Sequence, residues 1–435
     1  MNKLKKVAFY TLGCKVNQYE TEAMLELFEK DGYKQVDSEE YADVYVINTC
    51  TVTHMSDRKS RQYIRRVKKK NPNAIIAVVG CYSQVSPEEI LEIEEVNLVM
   101  GTNDRRKIVE EIKKIDSTKK SSTVDDIMKV KAFEEIEISQ TNGKTRAFLK
   151  IQDGCDRYCT YCIIPHARGR VRSREIESIV SEVKKLADNG YKEVVLTGIH
   201  VASYGKDLRD REIRLLDVIK EINEIEKIER IRLSSVEPIL FTDEFVKEVT
   251  EMKKVCPHYH LSLQSGCDET LKRMNRRYTT QEYKAIVERL REKIPNVAIT
   301  TDVIVGFPGE TNDEFNKTYE FLRDIELSQM HIFKYSPRKG TPAATMDNQI
   351  DPQMKQFRSE KLLNLSKENF NKFASKFIDT EVEILFEQNI ADNKYEGLTP
   401  NYIRVVAESD KDIQGKILKV KITDVKHEYV EGILV

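Results

Sequence analysis

The chain is 435 residues long, 40% hydrophobic and 33% charged, with a formal net charge of −1. That length suits about two to four domains, and no apolar run approaches the ~20 residues of a membrane span. The N-terminus lacks the apolar stretch and cleavage site of a secretory signal. Near-zero net charge gives no global field for nucleic acid, and eight scattered Cys do not form a disulfide framework, so a cytoplasmic, reducing location is expected.

Residues 1–115 alternate short apolar strands with polar, periodic helices. Strands are expected at Val7–Leu12, Val44–Asn48 and Ala74–Val79, and helices at Asn17–Lys30, Ser56–Lys70 and Asn103–Ile115. Such alternation implies an α/β domain with a parallel sheet. Residues 116–146 are polar and charged and read as a linker with at most one short strand. From Ala147 to residue 373 the alternation resumes, with strands near Phe148–Ile151, Glu193–Leu196, Ile231–Leu233, His260–Leu263, Ala298–Ile304 and Met330–Phe333. Six βα units are too few for the closed eightfold barrel, so a partial (βα)6 barrel is expected, its ligands at the C-terminal strand ends. Cys155, Thr197, Ser234, Gln264 and Gly306 all fall there. A long amphipathic stretch, Pro352–Phe377, closes this block. Residues 374–435 then form a small antiparallel, OB-like β domain with strands at Val382–Phe386, Ile403–Val406, Ile417–Ile422 and Tyr429–Leu434.

Local charge departs from the mean. Asp57–Lys70 carries eight Lys or Arg against one acid, Arg157–Arg174 carries five Arg and no acid, and Lys272–Arg277 adds a third basic cluster. Any one of these suits an ordinary solvated helix face; together they favour a polyanionic partner. Arg168, Arg170, Arg172 and Arg174 are candidates for phosphate contacts, or for pairing with Glu175 and Glu177. Residues 374–435 hold eight Lys or Arg against twelve acids, so bulk charge there gives RNA no support.

Cys155, Cys159 and Cys162 lie in Gly154-Cys155-Asp156-Arg157-Tyr158-Cys159-Thr160-Tyr161-Cys162. Three thiolates this close suit a soft metal centre, yet they are one short of a closed zinc site or an ordinary cluster. A cubane held by three Cys leaves one iron free to bind another ligand. The plain alternative is a degraded zinc knuckle or three unrelated buried cysteines. Cys14, Cys50 and Cys81 form a second set, each at the end of an expected strand and so at one edge of a parallel sheet. Buried structural cysteines are the plain alternative there, and the reading adopted for Cys256 and Cys267.

The spacing C-x3-C-x2-C resembles the signature of radical S-adenosylmethionine (SAM) enzymes, and the whole chain resembles the radical SAM methylthiotransferase family. The residues that carry this are Thr11–Gln18, Asn48–Thr53, Val79–Cys81, Gly154–Cys162, Pro165–Arg170, Leu196–Gly198, Leu263–Gly266, Asp302–Glu310 and Tyr335–Arg338. Gly13-Cys14-Lys15-Val16-Asn17-Gln18 is similar to the branch acting on N6-threonylcarbamoyladenosine in tRNA. Other branches act on isopentenyladenosine in tRNA or on an aspartate of a small-subunit ribosomal protein. A different class of reading is a non-catalytic iron–sulfur RNA-binding protein.

The resemblance implies an N-terminal domain with an auxiliary cluster, a radical SAM partial barrel and a C-terminal TRAM domain. It implies two [4Fe-4S] clusters, one on Cys155, Cys159 and Cys162 and the other on Cys14, Cys50 and Cys81, with no catalytic residue beyond these ligands. SAM would be used twice, to methylate the sulfur and to generate a 5′-deoxyadenosyl radical that activates the adenine C2–H bond. Tyr161, Thr197, Gly198, Ser234 and Gly306 are the implied SAM contacts. The implied partners are tRNA, an electron donor and a sulfur source, with no membrane.

Overall fold

The computed structural model describes residues 5–115, 120–139, 145–208 and 211–435. The first sheet holds β1 (Lys6–Thr11), β2 (Lys34–Val36), β3 (Val44–Thr49), β4 (Ile75–Gly80), β5 (Leu98–Val99) and β6 (Ser121–Ser122). All are parallel, in the order β2-β1-β3-β4-β5-β6. β3 is buried along its whole length, as expected of a strand covered on both faces. Met24, Leu25 and Phe28 of helix Lys15–Lys30 pack on one face, and Tyr63, Ile64 and Val67 of helix His54–Lys70 on the other. The strand order reverses at β1 and β3, and ligands gather outside the carboxyl ends of strands at such a switch point. Cys14 follows β1 and Cys50 follows β3.

The second block contains β7 (Arg146–Asp153), β8 (Arg172–Ser173), β9 (Glu193–Gly198), β10 (Arg230–Leu233), β11 (His258–His260), β12 (Ala298–Val305) and β13 (Gln329–Lys334). β7-β9-β10 and β11-β12-β13 are parallel runs, joined through single bridges at Ile231–Val255 and Val236–Leu261. The result is the expected open barrel of six parallel strands, with the short β8 antiparallel to β7. Leu149, Ile151, Val194, Leu196, Ile231 and Val303 join the apolar shell against the helices. The alternate residues Lys150, Glu193, Arg232, His258 and His260 are buried too, and face the lumen. Helix Pro352–Ala374 closes the block, with Ser366 Oγ accepting from the Met330 amide at 2.9 Å.

The C-terminal unit is a closed barrel of β14 (Glu381–Ala391), β15 (Lys394–Leu398), β16 (Arg404–Glu408), β17 (Ile417–Val425) and β18 (Val430–Leu434), ordered β14-β15-β16-β18-β17. Its pairings are antiparallel except for parallel β16–β18, where the chain crosses over to close the barrel. The sequence reading missed β2, β5, β8 and β15, which are short or polar and lack clear periodicity, while β6 is a short strand within the expected linker.

Several sets of contacts join the units. Tyr19 and Ala23, on helix Lys15–Lys30, enter the apolar cluster of the second block. Within residues 120–139, Ile127 and Ile138 are buried and Glu134 pairs with Arg105 at 2.8 Å, so this stretch packs as a strap despite its polar composition. The turn Thr399–Tyr402 plugs the floor of the partial barrel. Arg232 donates to Pro400 O at 2.9 Å, Arg230 donates to Leu398 O at 3.0 Å, and the Tyr402 ring stacks on His258 at 4.3 Å.

Candidate metal centres and the cavity between them

At the edge of the first sheet, Asn17 Nδ2 donates to Leu12 O and to Thr49 O, both at 2.9 Å, and so ties the loop of Cys14 to that of Cys50. Gly13 leaves this junction open: a Cβ there would lie 3.0 Å from that of Cys50. Gly80, just before Cys81, has φ +97° and would place a Cβ 2.6 Å from Asn48 Oδ1, which only glycine avoids. Cys14 is exposed, Cys50 partly buried and Cys81 buried.

Arg168, from the second block, donates from Nε to Cys81 Sγ at 3.2 Å. Its other nitrogens reach Asn17 Oδ1 at 2.9 Å and Glu20 at 2.5 and 3.0 Å. Glu20 also pairs with Arg105 and Lys150, and Asp153 with Lys150, Arg168 and Arg172. With Glu134 this buried network has three carboxylates and four cations. A buried charge excess is costly without a partner, and Cys81, once a metal displaces its proton, would supply the balancing thiolate. Burial still pushes the free Cys81 thiol up to about 12, against the pull of Arg168, and raises Cys50 as well.

The second set lies beyond β7. Gly154, at φ +73°, opens the loop; a Cβ there would lie 1.8 Å from Arg170 O. Cys155 N donates to Gly169 O at 3.0 Å and Cys162 N to Cys159 O at 3.0 Å. The loop is pinned through Thr160, whose hydroxyl donates to Arg273 O at 2.8 Å. Arg276 donates to Cys159 Sγ at 3.3 Å and reaches Glu237 at 3.5 Å; Glu237 also pairs with Arg157 and accepts from His200 at 3.2 Å. Burial lifts the thiols of Cys155 to about 11 and Cys162 to about 12, with neighbouring thiols adding to the rise. Thiols held this high stay protonated until a metal displaces the proton.

Among the described residues, no three His, Cys, Asp or Glu side chains crowd closely enough for a single metal ion. A cubane is wider than one ion, and its ligands stand correspondingly further apart. Two sets of three soft donors, each with a guanidinium on one sulfur and a glycine-opened loop, fit iron–sulfur clusters better than zinc.

A cavity of ≈ 230 Å³ is lined by Val52 and Thr53, close to Cys50, and by Tyr161 and Cys162 of the other set. Gln264, Asp302, Ile304, Phe333, Tyr335 and Arg338 complete most of its wall. Arg338 closes the junction, with 2.7 Å to Asp57 and 2.5 Å to Thr51 Oγ1. Tyr161 packs against the cluster of Met274, Phe307, Tyr335 and Ala343. Thr197 and Gly198 end β9, and Ser234 follows β10 with a buried hydroxyl that has no partner among the described residues. Gly306, at φ +70°, lies beneath the stem of Lys355, which occupies the place of its missing Cβ.

The four arginines proposed for phosphates need correction. Arg168, Arg172 and Arg174 are buried, and Arg174 pairs with Glu182 and Glu135; only Arg170 is exposed. Glu175 and Glu177 pair with Arg211. Sequence reasoning missed Glu20, Asp153, Glu237 and Arg276 as partners of the cysteine sets. Arg276 lay in a flagged basic cluster, but its sequence gave no sign that it turns inward.

Comparison with known proteins follows the same division. Residues 149–322 match the model described as "Radical SAM superfamily", and residues 6–101 that described as "Uncharacterized protein family UPF0004". The chain is 44% identical over 432 residues, 98% of its own length and 95% of the other's, to the threonylcarbamoyladenosine tRNA methylthiotransferase MtaB of Bacillus subtilis (strain 168). The chain belongs to the radical SAM methylthiotransferase family. Another family member, the tRNA-2-methylthio-N(6)-dimethylallyladenosine synthase of Clostridium tetani, is 37% identical over 99% of this chain and 97% of its own. Among solved structures, the radical S-adenosylmethionine methyltransferase TsrM of Kitasatospora setae aligns with TM-score 0.56 at 15% identity, covering 79% of this chain and 77% of that one. That likeness concerns the fold.

Proposed function

We propose that this methylthiotransferase acts on tRNA, adding a methylthio group at C2 of N6-threonylcarbamoyladenosine beside the anticodon. The observation that carries the reading is the shared cavity, which Cys162 lines together with residues two and three positions after Cys50. The name of the 44% identical relative supports the choice of base over the dimethylallyladenosine of the 37% identical one.

Cys155, Cys159 and Cys162 would hold one [4Fe-4S] cluster, Cys14, Cys50 and Cys81 the other, with SAM along Tyr161, Thr197, Gly198, Ser234 and Gly306. When bound, these groups supply one-electron cleavage of SAM and the sulfur and methyl that reach the base. Adenine C2–H is neither acidic nor bonded to a leaving group, so side-chain acid–base chemistry alone cannot replace it. The chain's own residues position and enclose. Arg168 and Arg276 hold cations on Cys81 and Cys159. Val52, Ile163, Ile164 and Ile304 keep the cavity wall apolar and limit water. Phe333, 48% exposed at the cavity, offers a ring on which an unstacked base can lie. The reaction also requires an electron donor and a sulfur source, and a cytoplasmic setting is consistent with a tRNA substrate.

Mass analysis of tRNA nucleosides from cells lacking the gene tests the reading. Loss of 2-methylthio-N6-threonylcarbamoyladenosine is expected, and unchanged levels refute it. With purified protein, Cys159→Ala abolishes SAM cleavage, whereas Cys14→Ala permits cleavage and blocks product.

A further inference from the structure

Helix His54–Lys70 begins beside the cavity: Val52 and its N-cap Thr53 are part of the cavity wall. Its inner face is apolar, with Tyr63, Ile64 and Val67 packed on the sheet. The opposite face runs Met55, Arg58, Lys59, Gln62, Arg65, Arg66 and Lys69, a stripe at helical spacing and exposed throughout. Seventeen residues give it a length of roughly 25 Å. Two of the helix's eight cations are engaged by acids at the surface, Arg66 by Glu39 and Arg61 by Glu89. Arg58, Lys59, Arg65, Lys69 and Lys70 have no acidic partner within ion-pair distance among the described residues.

Most other candidate sources of positive charge are spent or opposed, and the cations left exposed among them, Arg170, Lys272 and Arg277, are scattered rather than aligned along one helix face. Arg168, Arg172 and Arg174 are buried in ion pairs, Arg276 turns in to Cys159, and residues 374–435 are net acidic. We propose that this outer stripe is the phosphate track for the tRNA, leading the chain of nucleotides away from the base held in the cavity. The proposal rests on the tRNA reading above and adds the surface that binds the backbone. An unpaired row of cations that starts at the cavity mouth suits a polyanion threaded through it, because neutralised phosphates release their counterions along the whole contact. Met55, 57% exposed at the cavity end, adds an apolar contact for the nucleotide next to the target.

The test uses the full-length protein, reconstituted anaerobically with iron and sulfide, and bulk tRNA from cells lacking the gene. Filter binding is measured across a range of KCl concentrations for the native protein and for a quadruple variant, Arg58→Gln, Lys59→Gln, Arg65→Gln and Lys69→Gln. At a slope of ~0.7 per single-strand phosphate contact, the log–log salt dependence flattens by about 3, and affinity at low salt falls by more than tenfold. Lys59→Arg with Lys69→Arg retains the native slope. Thermal unfolding and bound iron match the native protein in both variants, since all four side chains are exposed. If native and quadruple variant bind tRNA with the same slope and affinity, the track is elsewhere and the proposal fails while the tRNA reading stands. If the native protein itself binds tRNA no better than polyglutamate of similar charge, both fail, and an acidic protein partner replaces RNA on this face.

Discussion

Replacing Arg168 by Met tests how the two cysteine sets are held together. The guanidinium joins Cys81 and Asn17 of the first unit to Glu20 and Asp153, with contacts at 3.2, 2.9, 2.5 and 3.5 Å. Removing one partner from a buried ion pair costs ~3–5 kcal/mol. Glu20 keeps Arg105 and Lys150, and Asp153 keeps Lys150 and Arg172, so the lower end, about 3 kcal/mol, applies. At an m-value of ~3 kcal/mol per M this moves the urea midpoint down by ~1 M. A second effect acts on the metal centre: a charge-assisted hydrogen bond worth ~1.5–3 kcal/mol is lost from Cys81, so iron at that set is retained more weakly. Urea titration followed by circular dichroism, with iron per chain determined after gel filtration, reads both effects. Arg168→Lys keeps the charge without the fork and falls between. A midpoint within ~0.2 M of native with undiminished iron would show that the network does not act as argued.

Arg338→Met removes the contacts to Asp57 and Thr51 that close the cavity; product formation should fall at least tenfold while SAM cleavage falls much less, read as the ratio of 5′-deoxyadenosine to methylthiolated base. Glu237 supplies a pH signature. Burial pushes its carboxyl up, but His200, Arg276 and Arg157 outweigh burial and hold it at about 2 against an ordinary 4.5. The folded value lies below the unfolded one, so this group contributes ~3 kcal/mol that is present above pH ~4.5 and is lost as pH falls toward 2. Glu237→Gln should flatten that part of the acid-unfolding curve; an unchanged curve would count against the pairing. Tyr402→Ala empties the barrel floor and should cost ~3–5 kcal/mol, exposing the junction after Ala374 to limited proteolysis, whereas Tyr402→Phe keeps the stacked ring and resists.

Strand and helix periodicity was readable because the parallel strands are apolar runs bounded by glycine and polar turns. The readings at Val44–Asn48 and Asn17–Lys30 lie within a residue or two of the observed elements. Short strands such as Lys34–Val36 and Leu98–Val99 escaped notice because their pairing is fixed by neighbours in the sheet rather than by local pattern. The arginines after Cys162 misled for a related reason: composition counts charges, whereas burial and the position of Glu20, Asp153 and Glu182 decide where they point.

The chain order of residue types was enough to settle the alternating α/β pattern, the two groups of three cysteines and the family, because periodicity and close Cys spacing are local properties. Only the folded chain could decide that Cys14 and Cys50 flank a reversal in strand order and that Arg168 reaches from the second block to Cys81. It also decided that Tyr402 of the last domain plugs the barrel floor. These pairings join residues far apart in sequence, and their energies depend on distance and burial in three dimensions, which no one-dimensional pattern records.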